Sequence, residues 1–167
     1  MCGMTNNLVQ KAEQYARLYH QGQFRKGDKQ PYIVHPQGVV ELLKKFEHDD
    51  EASLAMGWLH DTLEDTSLTY DEMKDIFGAK VADGVYLLTR NVDRSAYKER
   101  LQSASTEVQM VKLCDTLHNV ATMSCLSARG IARKVADCQD FYIPLARNLC
   151  PLIAEEMEQH IQPYMEQ

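Results

Sequence analysis

No apolar run in this 167-residue chain approaches the roughly 20 residues that a membrane-spanning helix needs, which argues against a membrane protein. The opening MCGMTNN is polar and lacks the apolar core of a secretory signal. The five cysteines (Cys2, Cys114, Cys125, Cys138 and Cys150) include no Cys-x-x-Cys pair. They read as reduced thiols of a cytoplasmic protein, most of them serving as small buried hydrophobes. Excess basic charge is missing too: the net charge is −6 and the pI about 5.5, against the basic footprint of a nucleic-acid-binding protein. Phosphate binding, if any, must rest on a local cationic cluster. There is no Gly-x-x-x-x-Gly-Lys-Ser/Thr phosphate loop, and no motif supports a Ser/His/Asp or Cys/His nucleophile. Repeats, low-complexity tracts and strand-like alternation are likewise absent.

What remains is helical patterning. A chain of this length, 44% hydrophobic and 25% charged, is expected to form one domain over residues 1–167, an all-α bundle of roughly eight to ten helices. Leu8, Ala12, Tyr15, Ala16 and Tyr19 recur at helical spacing and predict a first helix over about 5–21. Gly22, Gly27, Pro31 and Pro36 punctuate a loop, with Pro36 opening the second helix and His35 at the junction. Asp49 or Asp50 caps a third helix expected to run to about Thr66. Thr69 and Glu72 form a capping box for a short helix ending at Gly78. Residues 79–90 read as helix, and 91–105 as loop or mobile helix. A long helix from about Thr106 is expected to break at Gly130; the next bends near Pro144, and Pro151 starts the last.

Within this frame the residues that carry chemistry stand out. His60 and Asp61 are adjacent in LHDTLED, with His35 earlier and Asp115 later. Two imidazoles and two carboxylates make a mixed nitrogen and oxygen set suited to a divalent ion such as Mn²⁺. On a straight helix His60 shares a face with Glu64, and Asp61 with Asp65; Asp115, Asn119 and Thr122 form one stripe of the long helix. Taken alone, HDTLED reads equally as a solvated helix end. Taken together, so many acidic and imidazole groups on otherwise apolar helices call for a cation. Arg25 and Lys26, in the loop before His35, supply a phosphate-binding cluster. His118 is either a partner behind Asp115 or a structural histidine. Arg129, Arg133, Lys134 and Arg147 read either as an extension of a phosphate-binding rim or, as the safer reading, as solvated helix faces.

These blocks, HQGQFRKGDKQPYIVHP, LHDTLEDT, FGAKVADGVYLLTR and VKLCDTLHNV followed by QDFYIPLARNL, resemble the HD-domain superfamily over about residues 8–150. More narrowly, they resemble the hydrolase domain of the RelA/SpoT alarmone enzymes in its small, stand-alone form. The resemblance implies an all-helical domain that uses one Mn²⁺ to remove pyrophosphate from the 3′ position of ppGpp or pppGpp. It implies His35, His60, Asp61 and Asp115 as metal ligands, and Glu64 and Asp65 as the pair that positions and deprotonates the attacking water. Arg25 would lie against the guanine, Lys26 would neutralise phosphate, and Tyr32, Asn119 and Thr122 would line the nucleotide pocket. Two positions depart from the pattern: Thr116 and Ala121 stand where a basic residue is common. The partner expected is a small nucleotide, with no nucleic acid or membrane, in a cytoplasmic monomer or homodimer. With no room for a synthetase domain, the chain is expected to degrade and not synthesise. Rival readings are hydrolysis of NADPH, ppApp or a dNTP by the same chemistry, and a silent nucleotide sensor. The two-metal cyclic-dinucleotide branch is disfavoured because no histidine occurs from 62 to 114.

Overall fold

The computed structural model of the chain describes residues 7–165; Cys2 and the first residues of the expected opening helix lie outside them. Eleven α-helical segments appear among the described residues: α1 Leu8–Tyr19, α2 Val34–Lys45, α3 Glu51–Leu59, α4 Thr62–Asp65, α5 Tyr70–Phe77, α6 Ala79–Leu88, α7 Arg94–Gln102, α8 Thr106–Ala121, α9 Ala128–Asp137, α10 Ile143–Leu149 and α11 Pro151–Ile161. An interruption divides α3 from α4, and a π-turn, Cys138–Tyr142, joins α9 to α10. The fold is all-α, and its one β feature among the described residues is an isolated antiparallel bridge between Phe24 and Pro31. No described helix is long and apolar enough to cross a membrane.

Short polar side chains start most helices. Asn7, Asp50, Asp93, Ser105 and Ser127 each accept a hydrogen bond from a backbone N–H in the first turn that follows. Thr69 and Glu72 form the expected reciprocal box ahead of α5. Gly78 takes φ +88°, a conformation that lets α6 start directly after α5. Two helices lie inside the bundle. Every residue of α3 from Ser53 to Leu59 is buried, and α8 is buried from Val108 to Leu117, so neither has a solvent face. Helices α1 and α2 pack on α3, and α2 and α11 pack on α8. The core extends unbroken from Ala12 to Ile161. Of the cysteines in this region, Cys114 and Cys138 are buried, Cys150 half-buried and Cys125 exposed, all as free thiols.

Several expectations need correction. The second helix starts at Val34, so Pro36 sits inside the first turn, where its missing N–H costs nothing, and His35 is helical. Of residues 91–105, read as loop or mobile helix, Arg94–Gln102 take the helical alternative, capped by Asp93. The long helix stops at Ala121 and gives way to a 3-10 turn, Met123–Cys125; Gly130 breaks nothing. Its N–H is the one that Ser127 caps, in the first turn of α9. Near Pro144 the chain widens into the π-turn, where the Ile143 N–H reaches back to the Cys138 carbonyl. A proline ring clashes with the carbonyl four residues earlier in a regular helix, and the wider turn is a known way to accommodate such irregularity.

The third helix does not reach Thr66. It ends at Leu59, Asp61 has φ −101° and ψ −1°, and the Thr62 hydroxyl takes the Leu59 carbonyl at 2.7 Å. Because α8 carries the packing of its neighbours, truncating its wholly buried Leu113 is expected to be expensive. Leu113→Ala should lower unfolding free energy by about 2–5 kcal/mol, measured as a shift of the urea midpoint with little change in slope.

Candidate metal centre

The interruption after Leu59 determines how the site is built. Consecutive residues of a straight helix point about 100° apart, so His60 and Asp61 could not both address one point from its interior. Leaving the helix at this dipeptide brings the His60 Nε2 to 3.0 Å from Asp61 Oδ2. Helix α2 delivers His35 and α8 delivers Asp115. His35 Nε2 stands 2.8 Å from Asp115 Oδ1, 3.2 Å from His60 Nε2 and 3.6 Å from Asp61 Oδ2. His60 Nε2 lies 3.5 Å from Asp115 Oδ1. All four expected ligands therefore converge.

The outer contacts fix which ring atoms face inward. His60 Nδ1 is 2.8 Å from the Gly57 carbonyl, which can only accept, so Nδ1 carries the proton and Nε2 presents a lone pair. His35 Nδ1 is 2.8 Å from His118 Nδ1. Burial, then the neighbouring His35, pushes His118 down to about 4, so its neutral ring can accept from His35 and leave His35 Nε2 free as well. Electron pairs thus converge in a buried space. Donor atoms about 2.1 Å from one ion stand roughly 3–3.4 Å apart, which matches the observed spacing and marks the cluster as a fitting seat for a divalent cation.

The protonation balance agrees. Burial opposes charge on Asp115, but Lys112, with Nζ 2.8 Å from Oδ2, and the adjacent histidines hold its carboxyl well below the usual range. Burial opposes a proton on His60, yet Asp61 and Asp115 raise its pKa well above the ordinary value. A proton and a cation therefore compete for the same pocket.

Around the cluster lies a cleft of about 960 Å³, with Arg25, Lys26, Tyr32, His35, Asp65 and Asn119 among its walls. Tyr32 donates its hydroxyl to Asp61 Oδ2 at 2.5 Å. Asn119 donates to Asp115 Oδ1 at 3.0 Å. Arg25 donates to Thr122 Oγ1 at 2.9 Å and to Asn119 Oδ1 at 3.4 Å, which pins its guanidinium against α8. Lys26 and Thr122 also line the cleft. Glu64 and Asp65 are exposed on α4, where their oxygens and those of Asp61 gather within 4.8 Å. Glu64 accepts the Arg90 backbone N–H at 2.8 Å, and the Asp65 carbonyl accepts from Gln23 at 2.8 Å. Burial, then the Asp61 and Glu64 charges, pushes the Asp65 carboxyl up to about 6.

Lys112, Arg90 and Gln23 were not anticipated. Lys112 could have been found as a cation three residues before Asp115 on an otherwise apolar stretch; Arg90 and Gln23 carry no sequence signal. Of the cations read as phosphate rim or solvated face, Arg133 and Lys134 line the cleft, while Arg147 pairs with Glu158 on the surface.

Comparison with known proteins agrees with this geometry. The family described as HD domain matches residues 12–150. A GTP pyrophosphokinase of Myxococcus xanthus is 37% identical over 158 residues, covering 86% of this chain and 21% of that protein. A guanosine-3′,5′-bis(diphosphate) 3′-pyrophosphohydrolase of Borreliella burgdorferi is 34% identical over 151 residues, covering 83% of this chain and 22% of the relative. The chain thus spans about a fifth of the length of these curated relatives. The solved structure of a metazoan ortholog of SpoT that hydrolyses ppGpp superposes with a TM-score of 0.76 at 21% identity, covering 94% of this chain and 95% of the other.

The His118 contact can be tested through its neighbour. A methyl group added at Gly38 would lie 2.4 Å from the His118 ring, so the ring must shift from the position in which it meets His35. Gly38→Ala should weaken divalent-metal affinity about 10–100-fold, the usual cost of losing a group behind a ligand, while the protein still folds. Isothermal titration with Mn²⁺ and circular dichroism measure the two.

Proposed function

The chain belongs to the HD-domain family, and we propose that it is a metal-dependent (p)ppGpp 3′-pyrophosphohydrolase working as one domain over residues 1–167 in the cytoplasm. The observation that carries this reading is the convergence of His35, His60, Asp61 and Asp115 beside a cleft whose rim is cationic although the whole chain is acidic. The pyrophosphohydrolase name of one relative and the ppGpp hydrolysis attributed to the structural neighbour support it.

In this proposal the four residues hold one Mn²⁺, which lowers the pKa of water and polarises a phosphoryl oxygen when bound. Arg25, held by Thr122 and Asn119, offers its flat guanidinium to the guanine, and Lys26 offsets phosphate charge. Tyr32 fixes the Asp61 carboxylate from behind. Asp65 takes a proton from the attacking water, while Glu64, anchored on the Arg90 backbone, orients it. The water oxygen bonds to the proximal phosphorus of the 3′-diphosphate as the bond from that phosphorus to the ribose 3′-oxygen breaks. The 3′-oxygen takes up the proton, and the products are the 5′-nucleotide and pyrophosphate. Positioning and charge neutralisation account for most of the rate in such transfers.

Metal-reconstituted protein assayed against ppGpp, pppGpp, ppApp and NADPH, with products identified, should release pyrophosphate from ppGpp and pppGpp in preference. Phosphate release from NADPH without turnover of ppGpp would overturn the substrate assignment. His60→Ala and Asp61→Ala should abolish both Mn²⁺ binding and turnover. Asp65→Asn should retain the metal but lose about 10²–10⁴ in kcat; a wild-type rate in that variant removes Asp65 as the base.

A pH profile examines the same role. With its carboxyl raised to about 6, Asp65 is protonated and useless as a base below that pH, so kcat/KM should fall on the acid side at or below pH 6. Glu64→Gln removes one of the charges that raise Asp65 and should move the acid limb to lower pH. A limb that stays in place under this change would assign it to another group.

A further inference from the structure

Three hydrogen bonds meet at Gln23, in the loop between α1 and α2. Its backbone carbonyl accepts the Tyr32 N–H at 2.9 Å and so closes the loop that carries Arg25 and Lys26. Its side-chain nitrogen donates to the Asp65 carbonyl at 2.8 Å, and its side-chain oxygen stands 2.8 Å from His20 Nδ1. A carbonyl only accepts, so the contact with Asp65 fixes which end of the amide is the NH2 and turns the oxygen to His20. Nδ1 must then carry the proton of the ring. Burial lowers the His20 pKa, which keeps the ring neutral and leaves Nε2 as a lone pair. Nε2 is buried and has no partner among the described residues, so the bond to Gln23 is the one hydrogen bond this imidazole makes there.

The far end of this chain of bonds is a short helix that cannot hold its own place. Helix α4 has four residues, Thr62–Asp65, far below the length at which a helix is stable by itself. Asp65 is its last residue, and the carbonyl there has no partner within the helix. The Asp65 N–H is used inside the turn, on the Asp61 carbonyl at 3.0 Å. The Asp65 carboxylate makes no hydrogen bond or ion pair among the described residues, so its place is set through its backbone. The tie from that backbone to another element is Gln23, 42 residues earlier. An amide in a half-buried loop can turn over and bond to water instead. His20 removes that freedom: it sits buried at the end of α1, its ring 4.8 Å from that of Tyr32.

We propose that His20 and Gln23 are positioning residues for the attack of water. His20 sets the amide of Gln23, and Gln23 holds Asp65 by its backbone in register with the loop that carries Arg25 and Lys26. The inference rests on the hydrolase reading above, in which Asp65 takes the proton.

Gln23→Met keeps the length of the side chain and removes both of its bonds. It should lower kcat about 10–100-fold, the cost of a reacting group misplaced by about 1 Å, with KM for ppGpp and Mn²⁺ affinity within about threefold of wild type. His20→Leu should show the same loss. His20→Asn, whose amide nitrogen can stand where Nδ1 stands, should recover most of it. Because His20 acts through Gln23, the double variant His20→Leu with Gln23→Met should be no slower than Gln23→Met alone. In an Asp65→Asn background Gln23→Met should cost less than about twofold, since the group it positions is already lost. Nitrogen-15 NMR of histidine-labelled protein loaded with diamagnetic Mg²⁺ should find the His20 proton on Nδ1. A wild-type kcat in Gln23→Met, losses that add in either double variant, or a proton on Nε2 overturns the pair. If the protein hydrolyses NADPH and not ppGpp, and the variants keep this pattern on NADPH, the alarmone is removed as substrate and the positioning pair stands.

Discussion

Two imidazole lone pairs, each within 3.6 Å of two carboxylates and largely out of water, are repelled by them unless positive charge lies between. The packing holds them there regardless. His35 and Asp115 ride on α2 and α8, which pack directly together, and His60 ends α3, which is packed against both. Apolar burial along α3 and α8 is thus set against local electrostatic repulsion, and a divalent cation turns that repulsion into attraction. The same economy explains the contacts behind the ligands. Gly57 carbonyl, His118 and Lys112 each hold a ligand atom in the ionisation state or tautomer that a cation needs.

Much of this was legible in the sequence, because ligands and caps are local in kind even when distant in position. Asn119 falls on the stripe of α8 predicted from its spacing to Asp115, and Thr122 stands just past the end of that helix. The Thr69 box and the Pro151 start needed only neighbouring residues. What escaped was whatever depends on geometry that no short window contains. The helix through His60 and Asp61 was read as continuous because its pattern is continuous; the break is imposed by the ring of His60, the hydroxyl of Thr62 and the surrounding packing. Gly130 was read as a breaker on propensity alone, whereas capping by Ser127 outweighs its cost at a first-turn position. Arg90 and Gln23 act partly through backbone groups, Arg90 by its own N–H and Gln23 on a carbonyl, and backbone contacts leave no signature in residue type.

The chain's net charge conceals how its charges are partitioned. Acidic residues outnumber basic ones, 24 to 18, yet the cleft is lined by arginine and lysine from three separate stretches. Such a partition draws a polyanion to one face while the remaining surface repels it, which serves encounter rate as well as affinity. It also removes any need for a glycine-rich phosphate loop, since cations on helices and their connections supply what backbone N–H groups supply there.

Asp115 is where the two halves of this electrostatic design meet. With one oxygen among the imidazoles and the other on Lys112, it is neutralised from both sides, and burial makes each attraction stronger than it would be in water. Removing Lys112 would leave a buried carboxylate answerable to the metal cluster alone; removing the cation would leave it answerable to Lys112 alone. Neither partner can be lost without changing the orientation in which Asp115 serves the other. That coupling follows from a three-residue spacing on α8, which places lysine and aspartate on adjoining turns of a helix buried along most of its length.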